Sequence, residues 1–323
     1  MTHQAVLTSE VIHYIKPKRG GVYFDGTYGS GGHSLKILQE TDFQCQIIGV
    51  DQDLEVLKKH SKISEGSSSC GTLVEAPDSS EFLKKPLHLI HDNFSNIKSI
   101  LERLHIEKLD GILLDLGVSS FQLEDDVRGF SFLKKGPLDM RMDQGQNLKA
   151  SDLVNALSQE ELTKIFQEYG EERYARRIAQ KIVEKRPLQT TTELADIIVE
   201  VKGVNPFLKK HPATLVFQAL RIAVNEELEA LKKALEDGIQ ILKSGGRFCV
   251  ISFHSLEDRI VKEAFSYAQK ECICPDDFPI CNCGKKRTMK IITKKPVQPS
   301  LEELKVNKRA RSAKLRVAER VLS

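Results

Sequence analysis

A glycine-rich loop after the first apolar run most constrains the fold of this chain. Residues 22–24 are a predicted strand, residues 25–33 read Asp-Gly-Thr-Tyr-Gly-Ser-Gly-Gly-His, and a predicted helix opens at Ser34. Glycines let the backbone approach a ligand closely and adopt positive φ, and the helix start offers free amides at its positive end. Asp51 ends the next predicted strand, where a carboxylate can accept both ribose hydroxyl hydrogens. The combination predicts an adenosine-bearing cofactor at the carboxyl ends of the strands.

The loop does not identify the cofactor by itself. Its glycines lie at 26, 29, 31 and 32, a spacing that does not match the dinucleotide fingerprint cleanly. This lowers the case for a nicotinamide cofactor relative to S-adenosylmethionine, and both remain open on the loop alone.

The loop belongs to a repeating pattern of strands and helices. Apolar runs at 47–50, 87–91 and 111–114 alternate with helical stretches, which is typical of βαβ units and a parallel sheet. Purely apolar runs suit strands that are buried on both faces. Asp115 closes the fourth run, where it can orient a substrate amine or contact the cofactor; a helix cap or a loop hydrogen bond is the alternative. The Ser- and Gly-rich segment 61–81 is predicted to be a flexible surface insertion.

After about Asp143 the pattern becomes helical. Ser158 and Glu161 form a predicted capping box, and helices are predicted over 171–185 and 192–201 with no strand between them. A long helix is predicted over 212–243, because its apolar residues recur at spacings of three and four.

Strands return after this helix. Gly245 and Gly246 are predicted to end it, and strands follow at 248–251, 289–293 and 313–317. We therefore predict an α/β protein with a Rossmann-like sheet and an inserted all-helical domain. Residues 1–142 form the first part of the core, 143–211 the helical insertion, and 212–323 the second part with a basic C-terminal tail.

Charge is unevenly distributed along the chain. The net charge is +3, yet residues 285–323 contain 13 Lys or Arg and three Glu. A basic segment on an otherwise acidic protein indicates a polyanionic partner, for which RNA is the best candidate; a solvated Lys-rich surface is the alternative. With no secretion signal, transit peptide or membrane-spanning run in the sequence, we expect a cytoplasmic protein that binds no membrane.

The chain contains seven cysteines, and four of them form Cys-Ile-Cys and Cys-Asn-Cys pairs at 272–274 and 281–283. An odd count without a secretion signal does not indicate a disulfide framework. Structural zinc sites usually have two or more residues between paired ligands. The sequence therefore favours reduced thiols and assigns no metal ligand, although it does not exclude a metal site.

Eight segments of the chain resemble the ribosomal RNA small subunit methyltransferase H family, also called MraW. They follow the family's order along nearly the whole chain. The segments are 25–34, 110–120, 128–132, 136–143, 169–173, 211–214, 252–259 and 309–312. Such collinearity is much more specific than one glycine loop.

The resemblance implies an S-adenosylmethionine-dependent enzyme with the Rossmann-like methyltransferase fold. Its expected substrate is the N4 amino group of a cytidine in the decoding region of 16S rRNA, within the 30S ribosomal subunit. Residues Asp115-Leu116-Gly117 occupy the place of the Asn-Pro-Pro-Tyr type motif of many amino-group methyltransferases. The insertion at 61–81 departs from the family. The cofactor contacts that the resemblance implies are Gly31, Gly32, His33, Asp51 at the ribose, Phe94 beside the adenine, Asp115 and Gln122.

The expected chemistry requires alignment more than activation. The N4 lone pair is delocalised into the ring, so the enzyme must align nitrogen, methyl and sulfur, and Asp115 is the candidate acceptor of the amino proton. For RNA binding we expect Arg173 and Arg177, with Arg176, Lys181 and Lys185, on one helix. His254 and Arg259 are expected on the substrate side, with a structural His and a surface Arg as the alternative.

Three rival functions remain open at this stage. The first is a nicotinamide-dependent oxidoreductase on the same platform. The second is a non-catalytic RNA-binding ribosome assembly factor, and the third is a methyltransferase that acts on DNA or another RNA.

Overall fold

The structure is a computed structural model, which describes residues 5–63, 72–73, 85–203, 211–275 and 281–321. Most of the segment predicted as a surface insertion, 61–81, lies outside the described residues. The chain divides into two compact units. One comprises Met1–Gly117 and Leu228–Ser323, and the other comprises Val118–Glu227.

The first unit contains a mostly parallel sheet, as the alternation of apolar runs predicts. Its strands run in the order β3-β4-β2-β1-β5-β6-β8-β7. Neighbours from β3 to β6 pair in parallel, whereas β8 is antiparallel to both β6 and β7. The strands are β1 (Val22–Asp25), β2 (Gln46–Asp51), β3 (Thr72–Leu73), β4 (Leu87–His91), β5 (Leu109–Asp115), β6 (Leu242–Ser252), β7 (Met289–Ile291) and β8 (Lys314–Arg320).

The helices alternate with the strands in the first unit and follow one another in the second. In chain order they are α1 (Thr8–Ile15), α2 (Gly32–Glu40), α3 (Leu54–Ile63), α4 (Ile97–Arg103), α5 (Ser120–Glu124), α6 (Ala150–Ala156), α7 (Gln159–Glu168), α8 (Ala175–Glu184), α9 (Thr191–Lys202), α10 (Thr214–Asn225), α11 (Glu227–Ile241), α12 (Ser255–Gln269) and α13 (Leu301–Val306). None of the helices within the described ranges combines the length and the apolar character needed to cross a membrane.

The sheet of the first unit is buried on both faces. Consecutive side chains of a strand point to opposite faces, so Phe24 and Ile48 join one apolar cluster while Tyr23 and Ile47 join another. Both clusters contain fully buried side chains from the flanking helices. This explains why the strands are near-continuous apolar runs rather than alternating ones.

The second unit is helical, and in its described residues no strand of the sheet occurs. The sequence-based boundaries, 143 and 211, lie inside this unit. Its buried cluster also includes Phe130 and Met140 before the predicted insertion and Val216 and Leu220 after it. The unit therefore extends beyond the predicted boundaries on both sides, because these residues share its core. A change of hydrophobic period along the sequence cannot show which segments share a core.

The long helix predicted over 212–243 is wrong in one respect, because it is two helices. α10 ends at Asn225, Glu226 is left-handed with φ 50°, and α11 begins at Glu227. The Asn225 side chain accepts a hydrogen bond from the Met142 backbone N–H (2.7 Å) and donates to the Met140 carbonyl (2.8 Å). These contacts with a distant segment hold the end of α10.

Other predicted boundaries shift. Gly245 and Gly246 lie within β6 and do not end the helix. The helix predicted over 171–185 begins only at Ala175, so Arg173 precedes it and Lys185 follows it. The capping box of Ser158 and Glu161 and the two late strands are confirmed.

Candidate cofactor site

The glycine loop lies at the carboxyl ends of the parallel strands. The Gly26 N–H donates to the Leu113 carbonyl of β5 (3.0 Å), and the Tyr28 N–H donates to the Val50 carbonyl of β2 (2.9 Å). The loop is thus attached to the strands on both sides of β1. This is the edge at which open α/β sheets bind ligands.

Gly31 ends the loop and begins helix α2. Its φ is +72°, and a Cβ there would lie 2.5 Å from the hydroxyl oxygen of the buried Tyr28. Both the backbone conformation and the close approach of Tyr28 require glycine at this position. Gly32 and His33 follow as the first residues of α2.

Asp51 is placed as predicted, at the end of β2 beside the loop. Its Oδ2 accepts a hydrogen bond from the Gly29 N–H (2.8 Å) and its Oδ1 accepts one from the Asp53 N–H (2.9 Å). Burial raises the pKa of Asp51 to about 6 even though these amides lower it. Each carboxylate oxygen has capacity for a further hydrogen bond, so the residue fits a ribose diol.

Asp25 and Thr27 are site residues that the sequence reasoning missed. Asp25 is buried, and its Oδ2 accepts a hydrogen bond from Ser34 Oγ (2.6 Å). Burial raises the pKa of Asp25. Thr27 Oγ1 accepts a hydrogen bond from the Asp115 backbone N–H (2.6 Å), which connects the loop to the end of β5. Asp25 closes β1 as Asp51 closes β2, a signal in the sequence that could have identified it.

The side chains of His33 and Asp115 lie beside each other. His33 Nε2 lies 3.5 Å from Asp115 Oδ2, and the His33 side chain is only 6% exposed. Burial by itself lowers the pKa of His33, but hydrogen bonding and charge from Asp115, with the charges of Asp25 and Glu303, outweigh it and raise the pKa. Asp115 thus stabilises the protonated form of His33.

This pair has unused hydrogen-bonding capacity. Among the residues that the structure describes, the buried atoms His33 Nδ1 and Asp115 Oδ1 have no hydrogen-bond partner, and buried His33 Nε2 has only its long 3.5 Å contact with Asp115 Oδ2. Buried polar atoms are normally satisfied, and such atoms at an active site are the ones that a bound ligand engages. The polar groups of S-adenosylmethionine and of an amino substrate fit this requirement.

Phe94 lies against the same loop. It begins a 3-10 turn after β4, and the Asn93 side chain caps this turn by accepting a hydrogen bond from the Ser95 N–H (2.9 Å). Its Cβ is 2.8 Å from the position that a Cβ on Gly26 would take. The structure thus brings the loop, Asp51, Phe94, His33 and Asp115 together within the first unit.

Gln122 belongs to the second unit. It is buried at the start of α5 and forms a capping box with Ser119, in which its Oε1 accepts from the Ser119 N–H (2.9 Å) and its own N–H donates to Ser119 Oγ (3.2 Å). These bonds give it a local structural role. A contact with the cofactor stays a prediction.

His254 and Arg259 both lie on or beside helix α12. His254 caps this helix, since its Nδ1 accepts a hydrogen bond from the Glu257 N–H (3.4 Å) and its Nε2 lies 3.1 Å from Glu257 Oε1. Arg259 is exposed on the helix surface. The structural alternative for His254 therefore has a definite basis, and contact of either residue with substrate stays a prediction.

The predicted RNA-binding cations of the second unit fall into two groups. Arg173, Arg176 and Arg177 are exposed, and Arg177 lies 6.0 Å from the ring of Tyr174. In contrast, Lys181 and Lys185 form ion pairs with Glu200 at 3.4 and 2.5 Å. The three arginines have no ion pair in the described part of the chain, so they are the cations available to phosphate.

The basic C-terminal segment is folded into the first unit. It contributes β7, α13 and β8, and Lys314 and Arg316 pair with Asp258 at 3.2 and 2.6 Å. Lys308, Arg309 and Arg311 are exposed to solvent. The segment thus combines cations that pair within the first unit with cations at its surface.

Comparison with known proteins places the chain in one family. The family model described as the MraW methylase family matches residues 1–321. The chain is 48% identical to the ribosomal RNA small subunit methyltransferase H of Halothermothrix orenii, covering 100% of both chains, and 48% identical to that of Caldicellulosiruptor bescii, covering 99% of both. It also aligns with a crystal structure of a putative rRNA-methylase from Clostridium thermocellum at 10% identity and a TM-score of 0.43, covering 99% of this chain and 100% of the other.

The family match and the site agree on one kind of enzyme. The glycine loop and the acids at the ends of β1, β2 and β5 lie together at the carboxyl edge of a Rossmann-like sheet. The family model and the relatives match over the whole length of the chain. The chain belongs to the MraW methylase family, and S-adenosylmethionine is its cofactor.

Proposed function

We propose that this protein methylates ribosomal RNA of the small ribosomal subunit, at the N4 amino group of a cytidine in the decoding region of 16S rRNA. One observation carries the proposal: relatives named ribosomal RNA small subunit methyltransferase H match 99–100% of the chain at 48% identity. The site geometry supports it, because unsatisfied polar atoms of Asp115 and His33 adjoin the cofactor loop.

In this proposal the first unit binds the cofactor at the glycine loop. Asp51 accepts hydrogen bonds from the ribose hydroxyls, and Phe94 packs beside the adenine. The rest of the cofactor contacts Gly31, Gly32 and His33, where the free amides at the start of α2 favour a negatively charged group. When bound, S-adenosylmethionine supplies a methyl group that its sulfonium centre has already activated.

Asp115 is the proposed catalytic residue. The N4 lone pair of cytosine is delocalised, so the nitrogen must rehybridise as the N–CH3 bond forms and the S–CH3 bond breaks. A carboxylate oxygen that accepts a hydrogen bond from the amino group assists this change and receives the proton that N4 releases. The Thr27 hydroxyl positions the Asp115 backbone, and His33 orients its side chain.

The RNA itself is proposed to bind through exposed cations. In the second unit these are Arg173, Arg176 and Arg177, and in the first unit they include Lys308, Arg309 and Arg311. Contacts of this kind go to phosphate and make binding salt-dependent. The target base must leave its stack to reach a buried carboxylate, as bases do in other base-modifying enzymes. The proposed natural substrate is the 30S subunit.

Mass spectrometry of 16S rRNA nucleosides from cells with and without the protein tests the proposal directly. N4-methylcytidine that is lost with the protein is the expected result. Unchanged modification of 16S rRNA, or a methylated base found only in DNA or another RNA, contradicts the proposed target. Binding of RNA without methyl transfer would identify an assembly factor instead, and a thermal shift with nicotinamide nucleotides alone would identify an oxidoreductase.

The role of Asp115 is tested by transfer of labelled methyl groups to 30S subunits. We expect Asp115→Ala to lose nearly all turnover while it still binds S-adenosylhomocysteine. Asp42→Asn, which changes an exposed carboxylate of the same unit, is the matched control. Turnover by Asp115→Ala at the control rate would remove Asp115 from the mechanism.

A further inference from the structure

Four cysteine thiols converge in the connection between α12 and β7, away from the cofactor loop in sequence. The ligand atoms of Cys272, Cys274, Cys281 and Cys283 all lie within 4.8 Å of one another. Adjacent sulfurs are 3.3 Å apart for Cys272 and Cys281, 3.5 Å for Cys281 and Cys283, 3.7 Å for Cys283 and Cys272, and 3.8 Å for Cys274 and Cys281. The proposed methyl transfer uses none of them.

We propose that these four cysteines bind one Zn²⁺ ion as a structural tetrathiolate site. A zinc–sulfur bond of about 2.3 Å in a tetrahedron corresponds to sulfur–sulfur distances of about 3.8 Å. The four separations given above are at or slightly below this value, and the other two are within 4.8 Å, so a small movement of the side chains would complete the tetrahedron. An iron–sulfur cluster distributes its cysteines over several irons and needs sulfurs farther apart than these.

Only one residue separates the cysteines within each pair, a spacing that is unusual for structural zinc sites. This counts against zinc only if the spacing within a pair must by itself direct both thiolates toward the ion. Here the two cysteine pairs lie on two arms of the connection, Cys272–Cys274 on the first and Cys281–Cys283 on the second. The Thr288 N–H donates to the Ala268 carbonyl at the end of α12 (2.9 Å), and the Ile291 N–H donates to Gln269 Oε1 (2.8 Å). These bonds hold the start and the end of the connection together, and each arm then contributes two sulfurs.

The backbone also favours thiolates at this place. The Ile273 N–H donates to Cys283 Sγ (3.4 Å) and the Cys274 N–H donates to Cys272 Sγ (3.3 Å). Four thiolates this close need a cation, which removes the protons and the repulsion together.

The surrounding charge is complementary to such a site. Zn²⁺ with four thiolates carries a net charge of −2, and Lys285, Lys286 and Arg287 follow the second cysteine pair after one glycine. Lys285 Nζ lies 4.9 Å from the ring of Tyr267 on α12, which holds the second arm against the helix. The ion would therefore fix the connection between α12 and β7, and it has no part in methyl transfer.

Metal analysis of the whole, tag-free protein tests the proposal. Protein purified under reducing conditions with zinc in the medium is expected to contain about one zinc per chain. Cys274→Ser/Cys281→Ser is expected to lose it, whereas Asn282→Ser, an exposed non-ligand between two of the thiols, keeps it. Cobalt substituted into wild type should show the intense visible absorption of a tetrahedral thiolate site, a measurement that does not depend on whether a cysteine variant folds.

Three results would overturn the proposal. They are wild-type protein without stoichiometric metal after reduction and zinc addition, iron in place of zinc, and zinc retained by the double cysteine variant. Because metal content is measured without RNA or S-adenosylmethionine, failure here leaves the proposed methyltransferase function untouched.

Discussion

The packing around Gly26 makes a quantitative prediction for cofactor binding. A Cβ at this position would lie 2.6 Å from Leu114 Cδ2, 2.8 Å from Phe94 Cβ and 2.9 Å from Phe24 Cε1. Carbon atoms in contact prefer separations of about 3.5 Å or more, so Gly26→Ala forces these neighbours back by roughly 0.6–0.9 Å. The Leu114 methyl group can rotate away, but Phe94 Cβ moves only with its backbone.

Overpacking of this kind costs about 1–3 kcal/mol. We expect the free energy of unfolding of Gly26→Ala, measured by urea titration, to fall by that amount. Displacement of Phe94 should also weaken binding of S-adenosylhomocysteine, measured by titration calorimetry, by about tenfold, since 1.4 kcal/mol corresponds to one factor of ten.

Two further variants separate strain from the movement of Phe94. Gly245 has a φ of +76° and no atom within 4 Å of the position that an added Cβ would take. Gly245→Ala should therefore lose stability but keep its affinity for S-adenosylhomocysteine. Leu114→Val in the Gly26→Ala background removes one overlap and leaves the one with Phe94, so it should recover only part of the loss. Wild-type stability and affinity in Gly26→Ala would refute the reasoning.

Three more predictions follow from charge and hydrogen bonding. Burial raises the pKa of Asp51 to about 6, so its ionised fraction, and with it the cofactor affinity, should fall roughly tenfold from pH 7 to pH 5. Asp51→Asn should not show this fall in affinity. The same pH dependence in Asp51→Asn as in the wild type would contradict the prediction. Asn225→Ala deletes hydrogen bonds with the backbones of Met142, Met140 and Arg221 and should lower the free energy of unfolding by about 2–4 kcal/mol, with a comparable or larger loss for Asn225→Asp, whose second carboxylate oxygen would face the Met140 and Arg221 carbonyls in a buried site; stability equal to that of the wild type would refute the assigned role. Arg173→Ala/Arg177→Ala should reduce the slope of log affinity for single-stranded RNA against log salt concentration by about 1.4. Lys181→Ala/Lys185→Ala should change this slope little, because Glu200 already pairs with both lysines. A larger change in the lysine variant than in the arginine variant would exclude RNA binding by these arginines.

Local patterns account for the parts of the fold that the sequence predicted correctly. The apolar runs of β1, β2, β4 and β5 are strands because a parallel sheet buries both of their faces. Asp51 and Asp115 could be identified for a related reason, since a polar residue that ends such a run must lie at the edge of the sheet. Ser158 and Glu161 cap their helix through contacts within four residues, which sequence spacing specifies directly.

Contacts between distant residues explain where the predictions were wrong. The apolar residues over 212–243 recur at helical spacing throughout, which predicts one helix. In the structure Asn225 binds the backbone of Met140 and Met142, and the helix is interrupted at Glu226. The extent of the second unit likewise depends on which side chains share a core. Periodicity carries no information about a partner some eighty residues away.

The sequence by itself determined the Rossmann-like sheet, the glycine loop and the strand-end acids, since these depend on the chemistry and spacing of neighbouring residues. Only the tertiary structure decided that His33 lies 3.5 Å from Asp115, that Thr27 holds the Asp115 backbone, and that two short cysteine pairs converge on one point. The physical reason is that each of these arrangements joins chain segments that only the packed sheet and helices bring within reach of one another.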